Sequence, residues 1–272
     1  FKETIRINTL DYELYRDMQQ KIIDVLDTAE YVEVIGKGEN QTNMQVQLAA
    51  ISNPEKQTKF ENCVADVNIP LGEVFTSPKL AGTNGILNVG TVYIGDIQYR
   101  NLRMEFKDGR VVSAVCDNFV ENGVIDQEAG HRLIVQGIMN GHETLPLGEF
   151  AIGTNTTAYA MAEKFGILDR LPILIVEKMG PHFAVGDTCY SWSEDSPMYN
   201  PDGKEVIARD NEVSILRKED VSQAYFNCHT DITIPYRELD EIYGISRSGE
   251  KLPIIRDGRF VVPGTELLNK EL

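Results

Sequence analysis

Between Asp11 and about Glu30 the apolar side chains Tyr12, Leu14, Tyr15, Met18, Ile22, Ile23 and Leu26 return every three or four positions. That spacing puts them on one face of an α-helix and predicts an amphipathic helix packed on a sheet. The period then changes. YVEVIG at 31–36 and MQVQLAA from Met44 alternate or carry β-branched residues around the loop GKGENQTN, which predicts two strands of a hairpin with a long turn. A loop is expected from Asn68 to Asn84. The run ILNVGTVYIGDIQYRNLRMEFKDGRVVSAV predicts three strands of an antiparallel meander, turning at Gly95-Asp96 and Asp108-Gly109. Helices are expected at Gln127 to Met139 and Thr156 to Phe165, and short strands at Ile173 to Val176, Ile232 to Ile234 and Arg259 to Val262. Ser191 to Asp210 is rich in Ser, Asp, Pro, Asn and Gly, the composition of a surface loop or insertion.

These elements predict an α+β fold with a mixed, largely antiparallel sheet and packed helices. The chain shows no internal repeat, no low-complexity tract and no firm composition boundary. It is expected to form one unit over residues 1–272, with residues 1–60 as a possible subdomain. Its 272 residues can bury a substantial core. No stretch approaches the roughly 20 apolar residues that cross a bilayer, so a membrane role is not expected. The 26 basic against 42 acidic residues give a net charge of -16, which repels phosphate backbones and disfavours nucleic acid as a partner. The acidic excess reads either as a soluble surface or as carboxylates gathered around cations, and composition alone favours the former. Cys63, Cys116, Cys189 and Cys228 are scattered, with no CxxC pair, which fits a reducing cytoplasm. FKETIRINTL lacks the order of a secretory signal, and a start without Met suggests a trimmed product.

Four segments carry candidate chemistry. In NCHTDITIP, read as a strand, side chains alternate faces, so His229, Asp231 and Thr233 project one way and Cys228, Thr230 and Ile232 the other. An imidazole and a carboxylate on one face suit a divalent metal such as zinc, although an HxD pair is more often a hydrogen bond between strand neighbours. In VEKMGPHFAVGD, Glu177 ends an apolar, strand-like run and His182 follows a turn through Gly180 and Pro181. A ligand pair and a capped loop are equally good readings there, and Lys178 reads as solvated unless it neutralises nearby carboxylates. NIPLGEVFTSP and LPLGEFAIGTN place Glu73 and Glu149 between glycine and apolar neighbours, where a buried carboxylate needs a cation or several donors. The plainer reading is a turn or capping glutamate. Asp66, Asn68 and Asn84 are expected to support the same region.

Other motifs fail. His142-Glu143 lacks the second histidine of HExxH, and His131 reads as a surface or interface histidine on a helix. The glycines of GKGENQTN and LAGTNGILNVG lack the strand, spacing and lysine of a phosphate loop. No GxSxG elbow is present, and Cys228 reads as a small buried residue.

Taken in order, NIPLGEVFTSP, LPLGEFAIGTN, EKMGPH and HTD resemble the aminopeptidase T and aminopeptidase S type of metallo-aminopeptidase. The similarity runs from about Tyr31 to the C-terminal strand, and NIP-x-GEVF-T-x-P is its most specific piece. The resemblance implies two divalent metal ions, zinc or cobalt before manganese or magnesium. Glu73, Glu149, Glu177, His182, His229 and Asp231 would then occupy the family's ligand and catalytic positions. Glu73 becomes the bridging candidate and Glu149 either a ligand or the general base. Tyr190 corresponds to a family tyrosine that contacts substrate or transition state, but HFAVGDTCY is one residue longer here, and the loop after Trp192 also looks longer. The implied activity is hydrolysis of the first peptide bond of short peptides, in a cytoplasmic homodimer. Family members carry an α/β domain ahead of this region, expected to be absent here. Two other readings stay open: a metal-binding or dimerisation module inactive without that domain, and another metallohydrolase such as an amidase.

Overall fold

The computed structural model describes residues 1–64, 69–191 and 195–272. Its helices are α1 (Lys2–Asn8), α2 (Tyr12–Leu26), α3 (Gln127–Gly137), α4 (Thr156–Phe165) and α5 (Ile173–Val176). The strands begin with β1 (Ala29–Gly36), β2 (Asn43–Gln47), β3 (Gln57–Thr58), β4 (Glu61–Cys63), β5 (Glu73–Thr76), β6 (Lys79–Ile94), β7 (Ile97–Lys107) and β8 (Arg110–Val115). They continue with β9 (Val120–Glu121), β10 (Val124–Ile125), β11 (Leu147–Gly153), β12 (Pro181–Gly186), β13 (Glu205–Val206), β14 (His229–Thr233), β15 (Leu239–Ser246), β16 (Lys251–Arg256) and β17 (Arg259–Phe260).

The α+β class holds, but the antiparallel strands divide into two main sheets. One has eight strands in the order β17-β16-β15-β1-β2-β6-β7-β8, the other five in the order β14-β12-β11-β5-β4. Parallel pairing is confined, among the described residues, to β3 with β13. The predicted hairpin of β1 and β2 forms, with Tyr31 opposite Gln47, and the β6-β7-β8 meander turns where Gly95 and Gly109 adopt positive φ. Helix α2 starts where the Asp11 carboxylate accepts from the Leu14 amide, a side-chain N-cap. Its buried face is Tyr15, Met18, Ile22, Ile23 and Leu26, while Tyr12 and Leu14 stay exposed. These side chains join one core with Val32, Val34, Met44 and Val46 of the large sheet and Val74, Phe150, Phe183 and Ile232 of the small one.

Three local expectations change. Ile173–Val176 is helical: Pro172 sets φ at -64°, and its carbonyl accepts from the Ile175 and Val176 amides. Four apolar residues are too few for periodicity to separate strand from helix. A 3-10 turn over Glu177–Met179 follows, so Glu177 ends no strand, and Pro181 and His182 open β12. The expected loop 68–84 contains β5 and the start of β6. Asp66, Asn68 and Trp192 lie outside the described residues, and Asn84 sits on exposed β6, bonded to Gly82 and Asp108.

Candidate metal centre

Every residue of the site face of the five-stranded sheet follows from strand alternation. On β5, β11, β12 and β14, and at the residue just before β14, Val74, Phe150, Ile152, Phe183, Val185, Cys228 and Ile232 enter the common core. Their neighbours in sequence, Glu73, Glu149, His182, His229 and Asp231, therefore point to the opposite face. Register then aligns them. Glu149 lies opposite Ala184 and Ala184 opposite Asp231, so the small methyl of Ala184 leaves room between two carboxylates. Gly153 lies opposite Glu73, and a Cβ there would meet the Lys178 and Gly180 carbonyls at 2.6 Å. Its lack of a side chain lets the Glu177–Met179 turn press against the sheet.

The donors form two triads that share Glu149. His182 Nε2 is 3.4 Å from Glu73 Oε2 and 3.7 Å from Glu149 Oε1. His229 Nε2 is 3.2 Å from Glu149 Oε2 and 3.6 Å from Asp231 Oδ1. Ligands about 2.1 Å from a tetrahedral zinc stand roughly 3.4 Å apart. The donors of Glu73, Glu149 and His182 all lie within 4.8 Å of one another and match a cation there. In the second triad His229 is the donor that meets both Glu149 and Asp231. Both imidazoles are aimed by their other nitrogen: His182 Nδ1 donates to the Gly180 carbonyl at 3.2 Å and His229 Nδ1 to the Asp187 carbonyl at 2.7 Å. That leaves Nε2 of each ring facing the carboxylates, where a cation can take the place of its proton, the orientation of a metal-binding histidine. One buried oxygen in each triad, Glu73 Oε2 and Asp231 Oδ1, lacks a hydrogen-bond donor. A buried carboxylate oxygen without a partner costs several kcal/mol unless a cation meets it.

Lys178 is buried rather than solvated. At 1% side-chain exposure its ammonium pairs with Glu73 and, at 2.6 Å, with Glu177. Burial disfavours its charged form, but Glu73, Cys63 and Glu177 outweigh that and hold its proton far more firmly than water would. Burial and the nearby Glu73 charge push the Glu177 carboxyl up to about 7. Burial disfavours a charged His182, but Glu149, Glu73 and Asp231 outweigh it and raise its pKa to about 9. A site that draws protons onto its imidazoles in this way also draws metal cations.

The site opens into a cavity of about 480 Å³, lined by Phe75, Glu149, Ile173, Leu174, Glu177 and Cys189 among others. A second cavity of about 600 Å³ reaches His229 and Asp231 from the side of Tyr93 and Asp96. The structure thus gathers all six expected metal residues. Tyr190 stands apart from them: its hydroxyl donates to Glu61 at 2.6 Å and its ring stacks on Phe75 with centroids 5.7 Å apart. The sequence did not point to Cys189, whose sulfur clusters with the Glu149 and His229 donors within 4.8 Å. A single cysteine seven residues after a histidine matches no ligand motif, so only the fold reveals it. His142 and His131 lie outside the centre, bonded to the Phe226 and Ala114 carbonyls.

Residues 9–260 match the family model described as thermophilic metalloprotease (M29). Among solved structures the chain is similar to wild-type AmpT from Thermus thermophilus, with a TM-score of 0.57 and 18% identity over 92% of this chain and 55% of that one. It is also similar to 2,5-dihydroxypyridine dioxygenase from Pseudomonas putida KT2440, with a TM-score of 0.57 and 14% identity over 97% of this chain and 64% of that one. The chain thus spans little more than half the length of the first and under two thirds of the second, and at these identities the likeness concerns the fold. No curated protein sequence matches it.

Proposed function

Because the chain belongs to the thermophilic metalloprotease (M29) family, we propose that it is the catalytic unit, over residues 1–272, of a metal-dependent aminopeptidase acting on short peptides. The observation that carries this reading is the pair of donor triads sharing Glu149, each with one buried oxygen that lacks a donor. Glu73, Glu149 and His182 would hold one divalent cation; Glu149, His229 and Asp231 would hold the other. Zinc or cobalt suits this imidazole and carboxylate set, with manganese or magnesium as the harder alternatives. Bound cations would supply Lewis acidity to the scissile carbonyl and lower the pKa of water.

The remaining roles fall to the chain itself. Glu149 has an oxygen toward each histidine, which favours it over Glu73 as the bridging residue and over its alternative role as general base. The base is then Glu177. It lines the cavity, and Lys178 holds one of its oxygens, which leaves the other to accept a proton. The free amine of a peptide N-terminus would bind a metal ion or a single carboxylate of the site, a contact that a blocked terminus lacks. Phe75, Ile173 and Leu174 offer apolar surface to a side chain of the substrate. Tyr190, the tyrosine expected to touch the substrate, would act by holding Phe75 against the cavity. The reading includes a homodimer in the cytoplasm, in keeping with the family resemblance and with four free thiols.

Purified chain, supplied with zinc, cobalt or manganese, is expected to cleave aminoacyl reporters and dipeptides and to spare N-acetylated ones. Two bound ions without turnover on any such substrate would favour the binding-module reading. A second reading is a mononuclear iron centre. It is favoured by the likeness to the dioxygenase fold. Binding of a single iron with no peptidase activity after zinc loading would select it.

A further inference from the structure

We propose that Cys189 is a thiolate ligand of the cation held at Glu149 and His229, which makes that half of the centre a mixed nitrogen, oxygen and sulfur site selective for zinc or cobalt. This rests on the metal-centre reading above and adds a donor to it. Strand β12 ends at Gly186, and Asp187 pins the following turn to the start of β14 with four hydrogen bonds. Its carboxylate accepts from the Phe226 amide at 2.7 Å and the Cys228 amide at 3.3 Å. Its amide donates to the Cys228 carbonyl at 2.6 Å, and its carbonyl accepts from His229 Nδ1 at 2.7 Å. A turn fixed in this manner carries Cys189, two residues on, across the face of His229.

The Cys189 sulfur, Glu149 and His229 then present donor atoms within 4.8 Å of one another on the cavity wall. Asp231, 94% buried by its 6% exposure, adds an oxygen with no hydrogen-bond donor 3.6 Å from His229 Nε2. Three donors of three kinds, from Glu149, His229 and Cys189, converge from β11, β14 and the β12 turn, the number of protein ligands that zinc takes in a catalytic site whose fourth position stays open. On binding, the thiol proton leaves to solvent and the sulfur electron pair is shared with the cation, with no redox change. A thiolate prefers zinc and cobalt over magnesium and manganese, so Cys189 sets the metal preference of this half of the site. Cys63, the other thiol on this cavity, adjoins Glu73 on the opposite half and serves as the internal control.

The test loads the whole chain with cobalt, counts bound ions by elemental analysis after desalting, and records its near-ultraviolet absorption. Wild type is expected to show sulfur-to-cobalt charge transfer. Cys189→Ser should lose that band while still binding cobalt, and Cys63→Ser should keep it. The zinc-over-manganese preference of Cys189→Ser should fall on the order of tenfold or more. Cobalt-loaded wild type without the band, or a band that survives in Cys189→Ser, overturns the proposal and leaves the metal centre intact; failure of wild type to take up any cobalt overturns the metal-centre reading itself. If Cys189→Ser does not fold, wild type decides alone. Zinc should block iodoacetamide labelling of Cys189, read by peptide mass, and an unchanged labelling rate in zinc refutes ligation.

Discussion

The two main sheets share one core yet differ in what their second face meets. Strands of the eight-stranded sheet have one wet face: β7 alternates between buried Tyr99, Leu102, Met104 and Phe106 and exposed neighbours. Strands of the five-stranded sheet are buried on both, with every residue of β5, β11 and β12 inside. One face is apolar, and the other is built from carboxylates and imidazoles. A sheet with water on one side is stabilised by burial alone, whereas a sheet that buries charge on its second face depends on what neutralises it. The small sheet is therefore where stability and function conflict.

Substitutions on opposite faces of one strand separate these contributions, and the largest effect is expected on the apolar face. Phe150→Ala empties a fully buried position of β11 and should cost about 3–5 kcal/mol in urea unfolding. A loss under about 1 kcal/mol would mean that the two sheets do not share a core. Lys178→Ala leaves Glu73 and Glu177 buried without their ammonium and should cost a similar amount, about 3–5 kcal/mol, in metal-free protein. Added zinc should restore part of that stability; an unaltered melting curve would show that Lys178 is not needed to offset the charge.

Chelation comes next. Removing metal from wild type should lower stability by about 2.7 kcal/mol for each ion held at a hundredfold excess over its Kd, and Asp231→Ala should lose the share of the ion at His229 while keeping that of the ion at His182. A smaller effect is expected for Asp231→Asn without metal, since it removes one of four crowded charges. It should be neutral or stabilising by up to about 1 kcal/mol while zinc affinity falls about 10–100-fold in a titration. Marked destabilisation of the metal-free form would mean that Asp231 supports the fold rather than a cation. Val112→Thr, on the wet face of β8, should stay within about 0.5 kcal/mol of wild type in the same unfolding assay.

The same contrast decides how much was legible in the sequence. Helix α2, the β1-β2 hairpin and the β6-β7-β8 meander announce themselves because one face of each meets water, so apolar residues recur with the period of the element. Strands β5, β11 and β12 have no wet face, and neither they nor the helical Ile173–Val176 could be assigned from alternation. The six candidate residues were legible even so through the family resemblance carried by Leu-Gly-Glu, Glu-Lys-Met-Gly-Pro-His and His-Thr-Asp, whereas each segment alone read as well as a turn, a cap or a strand hydrogen bond. Roles were less so. Which glutamate lies between both histidines depends on the register that sets Glu149 across Ala184 from Asp231, a relation between strands far apart in the chain.

By itself, then, the sequence determined which residue types could bind a cation and which elements have a face toward water, since both are local properties of composition and spacing. Only the tertiary structure decided that Lys178 lies buried between Glu73 and Glu177, that Tyr190 bonds Glu61 instead of facing the donors, and that Cys189 reaches His229. Each of those outcomes is a meeting of side chains from separate elements, and such meetings are fixed by strand register and by the burial of charge, which no local pattern records.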